Sequence, residues 1–155
     1  MQAWGEPRVT RNVDVSASIG IGEEADSIAR LLKCFRERGA DAAGFAILNR
    51  VLLCQSPDGV GIDIGLAGFP FEATMIERCV LSELVEGFQI PVVCAEDLIT
   101  MKVFAGRPRD WFDVQSIISR QSGKLRWQLV DAILPELLDL IGRPDRLDQL
   151  LLLRA

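Results

Sequence analysis

The 155-residue sequence predicts an α+β fold, with a small mixed or antiparallel β-sheet flanked by helices and followed by a helical C-terminal segment. Three observations carry that expectation. Up to residue 94 the chain is cut into short β-branched runs by glycine and proline turns, which is how strands read. From residue 95 onward, apolar residues recur at helical spacing. Strands first and helices last is the order of an α+β chain, not of alternating βαβ units. A chain of this length buries roughly 70% of the surface its unfolded form exposes, so one domain over 1–155 is expected, with a β-rich core over 1–94 and a helical part over 95–155.

The elements follow in order. "GEPRVTRNVDVSASI" reads as a loop running into a strand, on which Asn12 and Asp14 share a face because residues i and i+2 point the same way. "IGIGEEADS" is a turn. "EADSIARLLKCFRERG" places Ile28, Leu31, Leu32 and Phe35 at helical spacing and predicts one helix that Gly39 stops. "AGFAILNRVLLCQS" and "GVGIDIGLAG" are apolar runs separated by "PDG", which predicts two strands of a hairpin. "PFEATMIERCVL" predicts a short helix and "GFQIPVVC" a further strand. "AEDLITMKVFAG" predicts a helix with Glu96 and Asp97 in its first turn, ended by Gly106. "RDWFDVQSIISRQ" follows as a helix with a buried stripe of Trp111, Val114, Ile117 and Ile118. "KLRWQLVDAILPELLDLIG" predicts a helix kinked at Pro135, and "PDRLDQLLLL" a last one.

Composition removes several classes of function. With 17 basic against 22 acidic residues, the net charge of −5 argues against a surface built mainly to neutralise nucleic-acid phosphates. The four cysteines, Cys34, Cys54, Cys79 and Cys94, form no C-x-x-C, and the chain has no histidine, which removes the usual zinc sites and Ser-His or Cys-His catalysis. They are expected as buried thiols of a reducing compartment. No apolar run is long enough to span a bilayer and "MQAWGEPR" lacks a signal-peptide core, so a cytoplasmic protein without a membrane partner is expected. Any chemistry runs on carboxylates, Lys, Arg or a metal.

Three stretches carry polar residues in patterns that chemistry uses. Asp14 and Asp63 face one point if their strands are neighbours, as a hard cation such as Mg2+ requires. The alternation of Ile62, Ile64 and Leu66 puts Asp63 on the opposite face, which suits a solvated surface as well as a site. Gly20-x-Gly22-x-x-Ala25 has the spacing of a dinucleotide-binding turn, but Glu23 and Glu24 stand where a pyrophosphate would dock, and a glycine turn before an acid-started helix explains it better. In "EDLITMKVFAGRPRDWFDV", Lys102, Arg107, Arg109, Asp110 and Asp113 form either a surface ion network that caps the helix or a phosphate-facing set. Composition does not choose between them.

Taken in order, "WGEPRVTRNVDV", "GIDIGLAGFPFE" and "IPVVCAEDLITMKVFAGRPRDWFDVQSI" make residues 3–120 resemble the minimal nucleotidyltransferase-fold proteins of the AbiEii/AbiGii toxin family. The resemblance implies Mg2+-dependent transfer of a nucleoside monophosphate from a nucleoside triphosphate to a hydroxyl of RNA, protein or a small molecule. By position, Asp14 and Asp63 match the second and third acids of the family and are the implied catalytic residues. Asn12, Asp14 and Asp63 are the implied metal ligands. Thr10 and Arg11 match the residues before the acid pair, Lys102 matches the helix lysine near the nucleotide, and Asp110 and Asp113 match the D-x-x-D after it, so these five are the implied nucleotide-binding set.

Two departures from the family pattern shape the expected function. Asn12 stands where the first acid belongs, and a neutral amide gives up one unit of charge at a divalent ion. The helix and G-G or G-S turn that cradle the triphosphate in the family have no counterpart before "MQAWGEP", as in a shortened relative or an internal start. The expected function is therefore an impaired nucleotidyltransferase with weak or lost Mg2+ binding. Its alternative is a non-catalytic subunit of a toxin–antitoxin-like system that binds a nucleotide or a protein. Implied partners are a nucleoside triphosphate, RNA or a protein, and a second copy of the chain, for which "LDQLLLLRA" offers an apolar surface unless it packs on the preceding helix.

Overall fold

Alternation along β1 (Asn12–Ser18), β3 (Val51–Gln55) and β4 (Gly61–Ala67) builds a sheet with one apolar and one polar face. The computed structural model describes residues 3–7, 10 and 12–154, and for Leu84 the backbone alone. Two compact units form, one of residues 9–77 and one of residues 1–8 with 78–155.

In the unit of residues 9–77, "SPDG" turns β3 back on β4 as the antiparallel hairpin that the sequence predicts. β1 joins the other side of β4 in parallel, and β2 (Arg36–Glu37) lies at the far edge beside β3, giving the mixed order β1-β4-β3-β2. Leu52 and Cys54 of β3 and Ile64 and Leu66 of β4 are buried on one face. There they form a single core with Ile28 of α1 (Glu24–Leu31) and with Ala42 and Ala46 of α2 (Ala42–Asn49). The opposite face carries Asn12, Asp14, Asp63 and Gly61. α3 (Pro70–Glu77) closes this unit.

Four expectations about elements are corrected. The helix begun at Glu24 ends at Leu31, before Gly39, because Arg36 and Glu37 extend to pair with Gln55 and Cys54, and Leu31, Leu32 and Phe35 reach the core without a continued helix. Residues 42–49 are a helix and not a strand: the Asp41 carboxylate caps it by accepting the Gly44 N–H at 2.9 Å, and three alanines favour it. Its apolar run hides its period, because Ala42 and Ala46 are buried while Ile47 and Leu48 face solvent. The helix at Pro70 stops at Glu77, and Val80 opens β5 (Val80–Val85). Pro135 does not kink one helix; it sits in the first turn of a new one, where its missing N–H has no helical partner to lose.

In the other unit, β5 pairs antiparallel with β6 (Phe88–Val92). The helices are α4 (Ala95–Ala105), α5 (Pro108–Arg120), α6 (Trp127–Asp131), α7 (Leu134–Leu140) and α8 (Asp145–Arg154). Gly106 ends α4 in the left-handed conformation at φ 60°, which a glycine adopts without strain. Ile99, Val103, Val114, Ile117, Val130, Leu134, Leu138 and Leu150 make its core, with Trp111 and Ile118 packed against it. Leu150 thus packs within the chain, while Leu152 of the same tail is exposed. The Trp4 indole lies against this core and donates to the Val93 carbonyl at 2.6 Å. No helix among the described residues is long and apolar enough to cross a membrane. The fold is α+β, as the sequence predicts.

Candidate functional site

β1 and β4 are parallel neighbours, and their register sets Asp14 directly beside Asp63, with Asn12 beside Gly61. The two carboxylates therefore stand side by side on the polar face. Asp14 is exposed. Asp63 is drawn into a web of donors: its Oδ2 accepts the Asn12 side-chain amide at 3.3 Å and its Oδ1 accepts the Arg38 guanidinium. Asn12 thus offers this carboxylate an N–H donor, where an acid in its place would offer only acceptors. Thr10 is exposed nearby in the chain, and Arg11 lies outside the described residues.

Lys102, Asp110 and Asp113 also come together, in the unit of residues 1–8 and 78–155. Lys102 Nζ lies 2.6 Å from Asp113 Oδ2 and 3.3 Å from Asp110 Oδ1. Both carboxylates are buried, and the Lys102 side chain keeps 15% of its exposure. Asp110 also caps α5: its Oδ2 accepts the Arg107 backbone N–H at 3.2 Å and the Arg107 Nε at 2.7 Å. Burial alone would raise the Asp110 pKa, but the hydrogen bonds from Arg107 and the charge of Lys102 outweigh it and hold the carboxyl below its usual value. The capping that the sequence suggests is present; a surface network is not, because its acids are sealed in.

More charge is buried at the start of α4. Glu96 accepts the Arg126 backbone N–H at 3.0 Å, and these bonds hold its pKa down against the opposing effect of burial. Asp97 accepts two bonds from Arg78, at 2.5 and 3.2 Å, and one from the Cys94 thiol at 3.1 Å. Burial pushes the Cys94 thiol up to about 12, so it stays protonated and donates. Among the cysteines, Cys54 and Cys94 are buried, Cys79 is half-buried and Cys34 is exposed, which corrects the expectation of four buried thiols. Cys34 follows the end of α1, where the shortened helix leaves it facing solvent.

Comparison with known proteins decides the family. The sequence matches the family described as "Nucleotidyl transferase AbiEii toxin, Type IV TA system" over residues 2–153. The chain belongs to the AbiEii nucleotidyl transferase toxin family. No curated protein matches it.

The AbiEii family implies a pair of divalent ions, and the described residues do not fit that pair. Asp14 and Asp63 are in register, but the third position is the Asn12 amide, and the guanidinium and amide donors already hold both oxygens of Asp63. Among the described residues no group of three or more Cys, Asp or Glu side chains is placed to hold a metal. Arg38 is the residue that sequence reasoning misses: it lies in "RERG", which reads as the end of a helix. The available signal is Gly61, a glycine inside an apolar strand, where close approach by another group is one of the few explanations.

Proposed function

We propose that this AbiEii-family chain keeps the nucleotidyltransferase framework but is impaired in Mg2+-dependent transfer of a nucleoside monophosphate to a hydroxyl. It then serves its toxin–antitoxin system as a subunit that binds a nucleotide or its protein partner. The observation that carries this reading is the state of Asp63, whose two oxygens accept from Arg38 and Asn12. A carboxylate that is to grip a divalent ion needs free lone pairs and neighbours that add negative charge. Here the neighbours are the Asp14 carboxylate, one cation that cancels its charge and one neutral amide. Replacing an acid by an amide at a metal shared by several ligands removes a full charge where each is worth most.

Calorimetric titration with Mg2+ and a panel of nucleoside triphosphates tests it. The expected result is nucleotide binding that is weak and insensitive to Mg2+. A low-micromolar, Mg2+-dependent complex that disappears in Asp63→Ala would overturn the reading.

A further inference from the structure

Gly61 lies inside β4, between Asn12 on one neighbouring strand and Gln55 on the other. Its φ is not among the positive ones, so the backbone does not require glycine there. Space does: a Cβ at Gly61 would run into Nη1 of Arg38 and Oδ1 of Asn12. Glycine weakens a strand interior, and here the missing side chain is the volume into which the guanidinium fits. The base of Arg38 is fixed as well. Its backbone N–H donates to the Leu53 carbonyl at 3.0 Å, and Leu53 is the residue of β3 that pairs with Asp63. The side chain therefore starts in line with Asp63 and extends over β3 to reach it.

We propose that Arg38 is the resident cation of this site: in the space that Gly61 leaves open, its guanidinium neutralises Asp63 where a divalent ion would sit, and a metal reaches the Asp14–Asp63 pair only when Arg38 leaves. The inference rests on the reading of Asp63 given above and adds the residue that controls it. A guanidinium suits the task because its planar donors match a carboxylate and its charge does not titrate. Two carboxylates and one guanidinium leave a local charge of −1, half of what an incoming divalent ion would otherwise meet. The side chains of Arg38 and Asp63 keep 31% and 25% of their exposure, so the pair stays open to exchange.

The test is Mn2+ binding, followed by the paramagnetic resonance signal of the free ion, which reads the site without activity. Arg38→Gln is expected to bind Mn2+ about tenfold more tightly than the wild type, the effect of removing one nearby positive charge. Gly61→Ala keeps the arginine but fills its space and is expected to move the same way. Asp63→Asn placed in the Arg38→Gln background is expected to erase the gain. Mn2+ binding by Arg38→Gln equal to that of the wild type overturns the proposal, and thermal unfolding of Arg38→Gln verifies that the comparison is made on folded protein. Should Arg38→Gln stay silent while Asn12→Asp gains Mn2+, the resident-cation role falls and the impaired-transferase reading stands. Should the wild type itself show a tight Mn2+-nucleotide complex, the impaired-transferase reading falls as well.

Discussion

The two units handle charge in opposite ways. In residues 1–8 and 78–155 the acids Glu96, Asp97, Asp110 and Asp113 are buried, each within reach of a cation. In residues 9–77 the polar face of β1 and β4 leaves Asp14 exposed and Asp63 part-exposed beside Arg38. The residue types are the same, and burial separates their roles. A buried carboxylate that loses its cation has no water to turn to, so these pairs hold the helices together. A part-exposed pair exchanges its partners at low cost, which is what a binding face requires.

Four substitutions or conditions sharpen that contrast, in order of expected effect. Lys102→Ala removes the cation 2.6 Å from buried Asp113 and is expected to cost about 3–5 kcal/mol in urea unfolding; a loss below about 1 kcal/mol would mean that the network is not structural. Leu138→Ala opens the fully buried core of the helical unit at a cost of about 2–5 kcal/mol by the same measurement.

Acid comes third. Asp110 and Glu96 have folded pKa values held below their ordinary 3.8 and 4.5. Each therefore contributes stability that is complete above its ordinary value and is lost as pH falls through its folded one. The melting temperature should fall steadily below about pH 4.5, less so in Asp110→Asn, and a flat profile there contradicts the assignment. Arg38→Gln is the smallest: the part-exposed pair is worth about 0–1 kcal/mol, so the melting curve should hardly move. A large destabilisation by Arg38→Gln would place Arg38 with the buried pairs and erase the contrast.

Much of the fold was legible because its signals are local. The "PDG" turn between alternating runs fixes the β3–β4 hairpin, and Gly106 followed by Pro108 separates α4 from α5. What escaped depends on distant contacts. β2 exists only because β3 offers it an edge, and α2 carries an apolar run whose helical period shows only when Ala42 and Ala46 are seen to be the buried pair. For the candidate site, alternation placed Asp63 on the face opposite Ile62 and Ile64, and the register then set Asp14 beside it. Arg38 was invisible because 25 residues separate it from Asp63 and its own stretch reads as helix. Its partner in the sequence, Gly61, signals only that something comes close.

The proposed impairment of transfer chemistry lies at the Asp14–Asp63 pair. The most direct measurement incubates the protein with each α-labelled nucleoside triphosphate, Mg2+ and total RNA or protein, and follows label transferred to the acceptor. The proposed impairment predicts no transfer above the level of Asp63→Ala. Transfer by the wild type that is lost in Asp63→Ala would contradict it.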